Sequence, residues 1–316
     1  MTQRTLGTSE LQVSPVGIGT WAIGGDFWGE VNDQKSIRAI QAGLDAGINL
    51  IDTAPAYGAG HSEEVVGKAI KGRRDEVVVA TKVGVIRTAT EFKRSLKADS
   101  VRQEIEDSLR RLDVDVIDLY QIHWPDPDTP FEEPMEVLMK AQEQGKFRYL
   151  GVSNFTVEQM EQIRKLGNVV SLQPHYSLLK RDIEGGILEY CRSNGIGILS
   201  YGTLAAGILT GKFTELPQFD EGDNRANFYP WFKQPVWNQV QKLVDVLREI
   251  AQERGVPVAH VTIAWTVQQP GITTALVGSR TDEQARSNAA AMEFQLNQTE
   301  IDRIEQAYQE HAAGHV

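Results

Sequence analysis

The sequence predicts a (β/α)₈ barrel, and two observations carry this prediction. Short apolar segments alternate with longer segments of helical periodicity throughout the 316 residues. The apolar runs are continuous rather than alternating, which is typical of parallel strands buried on both faces. Such a barrel needs about 250 residues, so the length leaves room for loop insertions. An open doubly wound sheet is the alternative that the same alternation allows.

Each element of the barrel is predicted from its own segment. The eight predicted strands are 16–21, 49–53, 77–82, 116–123, 149–152, 169–173, 197–201 and 274–277. The predicted helices are 36–46, 62–71, 100–112, 134–144, 157–166, 183–193, 236–253, 258–268 and 282–291, of which two are additional to the barrel. Ser62 is expected to cap the second helix, because serine side chains accept hydrogen bonds from free N–H groups there. No linker rich in Pro, Gly or Ser divides the chain, so we expect one domain over residues 1–316.

Three segments fall outside this plan. Residues 3–15 contain two short polar–apolar runs around residues 7–9, which predict a β-hairpin placed to plug the N-terminal end of the barrel. Residues 211–235 are predicted to form a long aromatic-rich loop, and such loops are usually functional lids or disordered segments. Residues 311–316 are predicted to be a frayed tail.

Composition limits the class of partner and the compartment. With 32 Lys and Arg against 43 Asp and Glu, the net charge is −11, which disfavours nucleic acid and acidic membranes as partners. The densest basic run, residues 93–97, is interpreted as a solvated loop. The lone cysteine, Cys191, is interpreted as a buried structural thiol in a reducing compartment. No signal-peptide core and no run of about 18 apolar residues occurs, so we expect a cytoplasmic protein. The histidines lack metal-ligand spacing, so no metal is predicted.

Ionisable side chains stand at the ends of consecutive predicted strands. Strand two ends in Asp52, with Tyr57 in the following loop, strand three ends in Lys82, and strand four ends in His123. Active sites of such barrels lie at the carboxyl ends of the strands, so these four side chains should meet at one mouth. Taken singly, each has a structural alternative: an ion pair, a loop aromatic or a core histidine. Their occurrence together favours a functional site.

Several segments resemble the aldo-keto reductases, in the order found in that family. Residues 52–58 (DTAPAYG), continuing through 62–63, are similar to the family signature, and residues 80–82, 118–123 and 151–155 match as well. The resemblance spans about residues 6–308 and is nearest to bacterial family-11 members of the inositol-operon and general-stress type. It implies NADPH-dependent reduction of a small aldehyde or ketone to an alcohol, and leaves the oligomeric state open.

The four side chains have the chemistry that this implied reaction needs. Carbonyl reduction requires a hydride at carbon and a proton at oxygen, and Tyr57 is the implied proton donor. A free tyrosine has a pKa near 10, and the charge of Lys82 is expected to lower that pKa. Asp52 can pair with Lys82 and hold it, and His123 can hydrogen-bond the carbonyl oxygen and fix its orientation.

Cofactor contacts are also implied by the resemblance. The sequence has no G-x-G-x-x-G fingerprint, and barrels bind phosphate with the loops after strands seven and eight instead. Tyr201 is implied to stack on the nicotinamide, and backbone groups of residues 203–207 to meet the pyrophosphate. The predicted cofactor-binding residues are Thr20, Trp21, Asp52, Ser153, Asn154, Gln173, Tyr201, Gly202, Thr203, Leu204, Ala205, Gly207, Lys212, Gly278, Ser279, Arg280, Gln284 and Asn288.

The choice between NADPH and NADH depends on Arg280. Residues 280, 284 and 288 lie at helical spacing and share one face. The planar guanidinium of Arg280 suits a 2′-phosphate, so NADPH is predicted over NADH. The alternative is that Arg280 and Gln284 only cap and solvate a surface helix.

The substrate pocket is predicted from aromatic residues, and two other functions remain open. Trp21, Tyr57, His123 and Trp124 are the predicted substrate-binding residues, with Trp28 and the aromatics of residues 211–235 as further candidates, and they favour aldehydes with apolar bodies. A Schiff-base lyase would use a neutral Lys82 as nucleophile. A cofactor-binding regulatory module with little turnover, of the kind the potassium-channel β subunits represent, is the other alternative.

Overall fold

The computed structural model describes residues 3–25, 31–87, 91–220 and 222–316, and eight parallel strands close into a barrel. Around the barrel the strands are β3 (Val16–Gly19), β4 (Leu50–Asp52), β5 (Val78–Val83), β8 (Ile117–Ile122), β9 (Phe147–Ser153), β10 (Val169–Gln173), β11 (Gly197–Ser200) and β12 (Ile272–Gly278). Two antiparallel pairs stand outside it: β1 (Arg4–Thr5) with β2 (Gln12–Val13), and β6 (Val85–Arg87) with β7 (Phe92–Arg94). The predicted (β/α)₈ barrel is confirmed.

Helices surround the strands and cover their apolar outer faces. They are α1 (Asp33–Asp45), α2 (His61–Ile70), α3 (Ala98–Leu112), α4 (Glu132–Glu143), α5 (Val157–Ile163), α6 (Ile187–Ser193), α7 (Arg225–Phe228), α8 (Val236–Arg254), α9 (Val258–Gln268), α10 (Asp282–Ala290) and α11 (Gln298–Ala307). The helix predicted over 183–193 is broken at Gly186, where φ is 143°, into a short 3-10 turn and α6. No helix within the described ranges combines the length and apolar character needed to cross a membrane.

The hairpin of β1 and β2 closes the amino end of the barrel, as predicted. Leu6, Leu11 and Val13 are buried and pack against inward-facing strand residues such as Leu50 and Leu119. Closing this end with apolar side chains leaves the carboxyl ends of the strands as the place for a polar site.

Several local predictions are wrong. Ser62 does not cap α2 but lies inside it, because the chain turns earlier through Gly58 and Gly60, both with positive φ. Its hydroxyl instead contacts the Thr20 and Thr53 hydroxyls at 2.8 and 2.9 Å. The chain also does not fray from residue 311, because a helical turn continues to Ala312, which is 0% exposed.

Four further elements lie where the sequence predicted irregular structure or none. Within the aromatic-rich segment 211–235, α7 and a 3-10 turn at Pro230–Phe232 form, and the indole of Trp231 donates to the Ala205 carbonyl at 3.1 Å. The basic run 93–97 is not simply a solvated loop, because it begins on strand β7. Helix α11 was not predicted either, although its capping box between Asn297 and Glu300 is visible in the sequence.

Candidate active site

A buried ammonium lies at the centre of the polar residues at the carboxyl end of the barrel. Lys82, on β5, donates from Nζ to Asp52 Oδ2 at 2.7 Å, to the Thr53 carbonyl at 3.0 Å and to the Tyr57 hydroxyl at 3.2 Å. The side chains of Lys82 and Asp52 are 0% and 4% exposed. Because neighbouring parallel strands end side by side, β4 and β5 bring the carboxylate, the ammonium and the phenol together as expected.

The other carboxylate oxygen of Asp52 is held by two amides. Gln173 Nε2 donates to Asp52 Oδ1 at 2.7 Å, and Gln121 Nε2 donates to the same atom at 3.2 Å. Gln121 was not predicted as a site residue. Its signal in the sequence is an amide two positions before His123, in a strand that also contains Asp118. The two amides stabilise the ionised carboxylate and leave its second oxygen to Lys82.

The loop that carries Tyr57 is fixed by a contact between two glycines. Gly58 has a φ of +63°, and a Cβ placed on it would lie 2.2 Å from the Gly24 carbonyl oxygen. Only glycine allows this close approach. The Tyr57 ring then lies 6.4 Å from the Trp21 ring and 6.0 Å from the His123 ring, centroid to centroid, so the predicted aromatic side chains meet around the phenol.

Burial controls the protonation states in this cluster. Burial raises the pKa of Tyr57, the charge of Lys82 lowers it, and the charge of Asp52 raises it; the result is a pKa above the usual value. Lys82 thus lowers the pKa of Tyr57 as expected, but the pKa does not fall below its usual value, because desolvation outweighs the nearby cation. For Lys82 itself, burial lowers the pKa, but the charges of Asp52 and Tyr57 more than reverse this and keep the amine protonated.

His123 is neutral in this surrounding. Burial lowers its pKa well below the usual value, and the charges of Lys82 and Arg94 lower it further. Its Nδ1 atom is buried and has no hydrogen-bond partner among the described residues. A neutral imidazole beside the phenol can exchange a hydrogen bond with a small polar group at the mouth.

Asn154 joins the ends of three barrel strands. It has a positive φ of 62°, and its Nδ2 donates to the His123 carbonyl at 3.1 Å and to Ser153 Oγ at 2.9 Å. Its Oδ1 accepts from the Tyr201 hydroxyl at 2.9 Å. The ring of His175 stacks on the ring of Tyr201, with 4.9 Å between the ring centroids. Tyr201 is therefore held at its hydroxyl and along its ring.

The hydroxyl groups of several other predicted cofactor-binding residues donate hydrogen bonds to backbone carbonyls at the rim of the barrel. The Thr20 hydroxyl donates to the Asp52 carbonyl at 2.9 Å, and the Thr203 hydroxyl donates to the Leu276 carbonyl at 3.1 Å. Ser153 Oγ donates to the Gln173 carbonyl at 2.8 Å. These side chains fix the strand ends in position.

Two cations, Lys212 and Arg225, meet beside the tight turn after β11, and the charge of Arg280 acts on them from nearby. A Cβ placed on Gly207 would lie 3.6 Å from Lys212 Nζ and 3.9 Å from Arg225 Nη1. Burial lowers the pKa of Lys212, and the charges of Arg225 and Arg280 lower it further. Asp223 holds Arg225 in place through a two-pronged ion pair, with N–O distances of 3.0 and 2.6 Å. Mutually repelling cations around a glycine fit an anion, so these residues are suited to the phosphates of a dinucleotide. Arg225 was not predicted.

The residues predicted around the adenosine end lie together at the start of α10. Asn288 Nδ2 donates to Ser279 Oγ at 2.9 Å, and the Arg280 N–H donates to Gln284 Oε1 at 2.8 Å. Ser279 and Asn288 are buried, whereas Arg280 and Gln284 are exposed. Leu204 and Ala205 lie in the turn after β11, and Gly278 ends β12.

The predicted substrate side of the mouth is described in part. Trp124 follows His123 and stacks with Arg94, whose Cζ lies 4.6 Å from a Trp124 ring centroid. Trp28 lies outside the described residues. Within the part of the chain that the structure describes, no group of three His, Cys, Asp or Glu side chains is arranged to hold a metal ion. Cys191 is buried, and burial raises the pKa of its thiol to about 12.

Fold and site together define a barrel with a buried Asp–Lys–Tyr cluster at its carboxyl end and a cationic turn nearby. The Aldo/keto reductase family model matches residues 15–309, and the chain belongs to that family of oxidoreductases. It is 43% identical to Aldo-keto reductase YhdN of Bacillus subtilis (strain 168), over 94% of this chain and 90% of that protein. It is 35% identical to the NADH-specific methylglyoxal reductase of Escherichia coli (strain K12), over 92% of this chain and 94% of that protein.

Solved structures agree with this assignment. The glycerol dehydrogenase AKR11B4 from Gluconobacter oxydans superposes with a TM-score of 0.90 at 39% identity, covering 98% of this chain and 95% of that one. An aldo/keto reductase from Klebsiella pneumoniae, solved in complex with NADP and acetate, gives a TM-score of 0.76 at 28% identity, covering 98% and 96%. The designation of the Gluconobacter protein confirms the resemblance to family 11.

Proposed function

We propose that this protein reduces aldehydes or ketones with NADPH, with Tyr57 as the proton donor, in one domain spanning residues 1–316. The observation that carries the proposal is the position of Lys82 Nζ between Asp52 Oδ2 and the Tyr57 hydroxyl, at 2.7 and 3.2 Å. Bound NADPH supplies the hydride that a carbonyl carbon receives. The protein supplies the proton and its placement.

Each side chain of the cluster has one part in the proposed proton transfer. Tyr57 gives its hydroxyl proton to the carbonyl oxygen, and the ammonium of Lys82 stabilises the tyrosinate that remains. Asp52 keeps Lys82 charged, and neutral His123 hydrogen-bonds the carbonyl oxygen and orients it. A Schiff-base lyase would need a neutral amine, whereas the raised pKa of Lys82 keeps this one protonated.

Replacing Tyr57 with phenylalanine tests the proton donor. Tyr57→Phe keeps the ring and removes the acid, so kcat should fall by about a hundredfold or more, while NADPH affinity, measured by fluorescence titration, stays the same. Tyr149→Phe is the matched control, because its hydroxyl bonds to the Glu10 N–H at the closed end of the barrel. Retained turnover in Tyr57→Phe would contradict the assigned acid. Negligible wild-type turnover on a panel of aldehydes, with tight NADPH binding, would favour the regulatory alternative.

The preference for NADPH is proposed from the cations near the start of α10. Lys212, Arg225 and Arg280 lie close enough for their charges to interact, and the Klebsiella relative was solved with NADP. The Escherichia coli relative is named as NADH-specific, so cofactor preference has to be measured. Arg280→Ala should lower the ratio of kcat/KM for NADPH over NADH by about tenfold, since one charged hydrogen-bonding partner of a phosphate is lost. Arg286→Ala, at an exposed position on α10, is the control and should leave the ratio unchanged.

A further inference from the structure

The basic run of residues 93–97 contributes a cation to the mouth of the barrel. Its residue Arg94 lies on β7 and pairs with Val85 of β6. Val85 follows directly on the end of barrel strand β5, which carries Lys82. The hairpin therefore folds back over the strand end, and Arg94 returns to the rim of the site.

Arg94 is held there by stacking on an aromatic ring. Its Cζ lies 4.6 Å from a Trp124 ring centroid, and Trp124 is the residue next to His123. Stacking occupies one face of a guanidinium and leaves its N–H groups, which lie in the plane, able to donate. The side chain is exposed, so a ligand entering the mouth can reach it.

Nearby acids do not take up this charge. Among the residues that the structure describes, Arg94 forms no ion pair within 4.0 Å. Asp126 lines the same outer cleft of about 600 Å³ as Arg94. Its carboxylate accepts hydrogen bonds from the Leu96 N–H, the Asp128 N–H and the Thr129 hydroxyl, at 3.0, 3.0 and 2.7 Å.

The charge of Arg94 also acts on His123, at the reacting end of the site. It is one of the three causes that lower the pKa of His123, after burial and the charge of Lys82. The chain as a whole has a net charge of −11, so any attraction of an anion to the mouth has to come from local cations such as Arg94. An accessible cation at the rim changes that balance locally.

We propose that Arg94 is a specificity-determining residue that binds an anionic group, carboxylate or phosphate, carried by the carbonyl substrate. The carbonyl oxygen lies at Tyr57 and His123, and the substrate extends past Trp124 to the guanidinium. This assignment depends on the proposed reductase function and adds to it the chemical class of the substrate. It also replaces the expectation, drawn from the aromatic residues alone, that the substrates have purely apolar bodies.

The test compares charged substrates with neutral counterparts, and the carboxylate pair is also closely matched in shape. The carboxylate pair is 4-oxobutanoate and methyl 4-oxobutanoate, and the phosphate pair is glyceraldehyde 3-phosphate and glyceraldehyde. Arg94→Ala should lower kcat/KM about five- to tenfold for the charged member of a pair, and less than about twofold for the neutral one. Arg94→Lys should retain an intermediate preference, and the preference should shrink when ionic strength rises from about 0.05 to 0.5 M. If Arg94→Ala lowers kcat/KM for the charged member of just one pair, that pair identifies whether the site accepts a carboxylate or a phosphate.

Arg87 on the same hairpin provides a matched control. Its Cζ lies 4.6 Å from the Phe92 ring, so it stacks as Arg94 does, but it pairs with Phe92, further from β5. Arg87→Ala should leave the charged-to-neutral ratio unchanged. An equal loss in Arg87→Ala would assign the effect to the general surface field and overturn the proposal. Equal losses for charged and neutral substrates in Arg94→Ala would show that Arg94 only supports Trp124, and would overturn it too.

A binding measurement separates this inference from the reductase function itself. Quenching of tryptophan fluorescence by 4-oxobutanoate reports binding with no turnover. If the wild type reduces no aldehyde but binds 4-oxobutanoate in an Arg94-dependent way, the anion site holds and the reductase function fails. If neutral aldehydes are reduced and the charged pairs show no dependence on Arg94, the reductase function holds and the anion site is refuted.

Discussion

Removing one member of the Lys82–Asp52 pair should destabilise the fold more than removing both. The charged atoms are 2.7 Å apart and the side chains are 0% and 4% exposed, so water cannot replace a lost partner. A buried charge left alone in this way costs about 3–5 kcal/mol, whereas the complete pair gains little over apolar side chains of the same size. We therefore expect Asp52→Asn and Lys82→Met each to lose about 3–5 kcal/mol of unfolding free energy. The double variant should lose less than either single variant.

The two single variants should not be equal. In Lys82→Met the Asp52 carboxylate keeps the Gln121 and Gln173 amides as donors at 3.2 and 2.7 Å, which places this loss near the lower end of that range. In Asp52→Asn the ammonium keeps only the Thr53 carbonyl and the Tyr57 hydroxyl as the other acceptors that the structure shows. Asp52→Asn should therefore be the more damaging change.

Urea unfolding of the wild type, both single variants and the double variant gives the coupling energy directly. Arg102 and Asp99 on α3 are the control pair, since their charged atoms are 2.6 Å apart but their side chains are 60% and 100% exposed. Mutation of that pair should show no measurable coupling, because exposed charges are solvated with or without a partner. Both buried single variants are compared with the wild type in the same urea series. If both unfolded at the wild-type urea concentration, with the same dependence of the free energy on urea, burial would not be what makes the Lys82–Asp52 pair important for stability.

Three further perturbations follow from burial and close packing elsewhere in the fold. Burial raises the pKa of Glu104 to about 7, so the folded state holds a proton that the unfolded state releases. By itself, Glu104 should contribute a fall in stability of about 3 kcal/mol between pH 4.5 and 7, so the stability of Glu104→Gln relative to the wild type should rise by that amount over this range in a urea series; a difference that does not change with pH would exclude the contribution of Glu104. Burial lowers the pKa of His175 to about 4, so His175 should contribute an opposing rise in stability of about 3 kcal/mol between pH 4 and 6.5. Relative to the wild type, His175→Gln should therefore lose stability as the pH rises over this range, and a difference that does not change with pH would exclude the contribution of His175. Gly58→Ala would place a methyl group 2.2 Å from the Gly24 carbonyl, so the Tm should drop by several degrees and kcat with it; a wild-type Tm would show that the loop adapts.

Much of the candidate site was predictable because barrel topology alone brings strand ends together. Asp52, Lys82 and His123 end consecutive strands, so the closed sheet places them at one mouth whatever the details of packing. Gln121 was missed because an amide in a strand does not by itself indicate a site, and its partner Asp52 lies far away in the sequence. Arg225 was missed for a similar reason, since Asp223 and the Ala206 carbonyl fix it only once the long loop has folded.

The hairpin of β6 and β7 could not be predicted from apolar patterning. All three residues of β7 are exposed, and a short exposed strand contains the same charged residues as a loop. What distinguishes it is pairing with residues 85–87 and the stacking of Arg94 on Trp124, both of which are contacts of the folded chain. The sequence therefore indicates that the charged residues of this segment are exposed. Whether they face a functional site depends on tertiary structure.

The raised pKa of Tyr57 reconciles the buried site with its proposed role as an acid. Desolvation keeps the phenol protonated at neutral pH, and a protonated phenol is the state that a proton donor needs. The ammonium of Lys82, 3.2 Å from the phenol oxygen, interacts far more strongly with a tyrosinate than with a neutral hydroxyl. Its contribution is therefore small before transfer and grows as negative charge moves from the carbonyl oxygen to the phenol. Stabilisation that appears only as charge develops lowers the barrier instead of tightening substrate binding, so loss of Lys82 should reduce kcat much more than it raises KM.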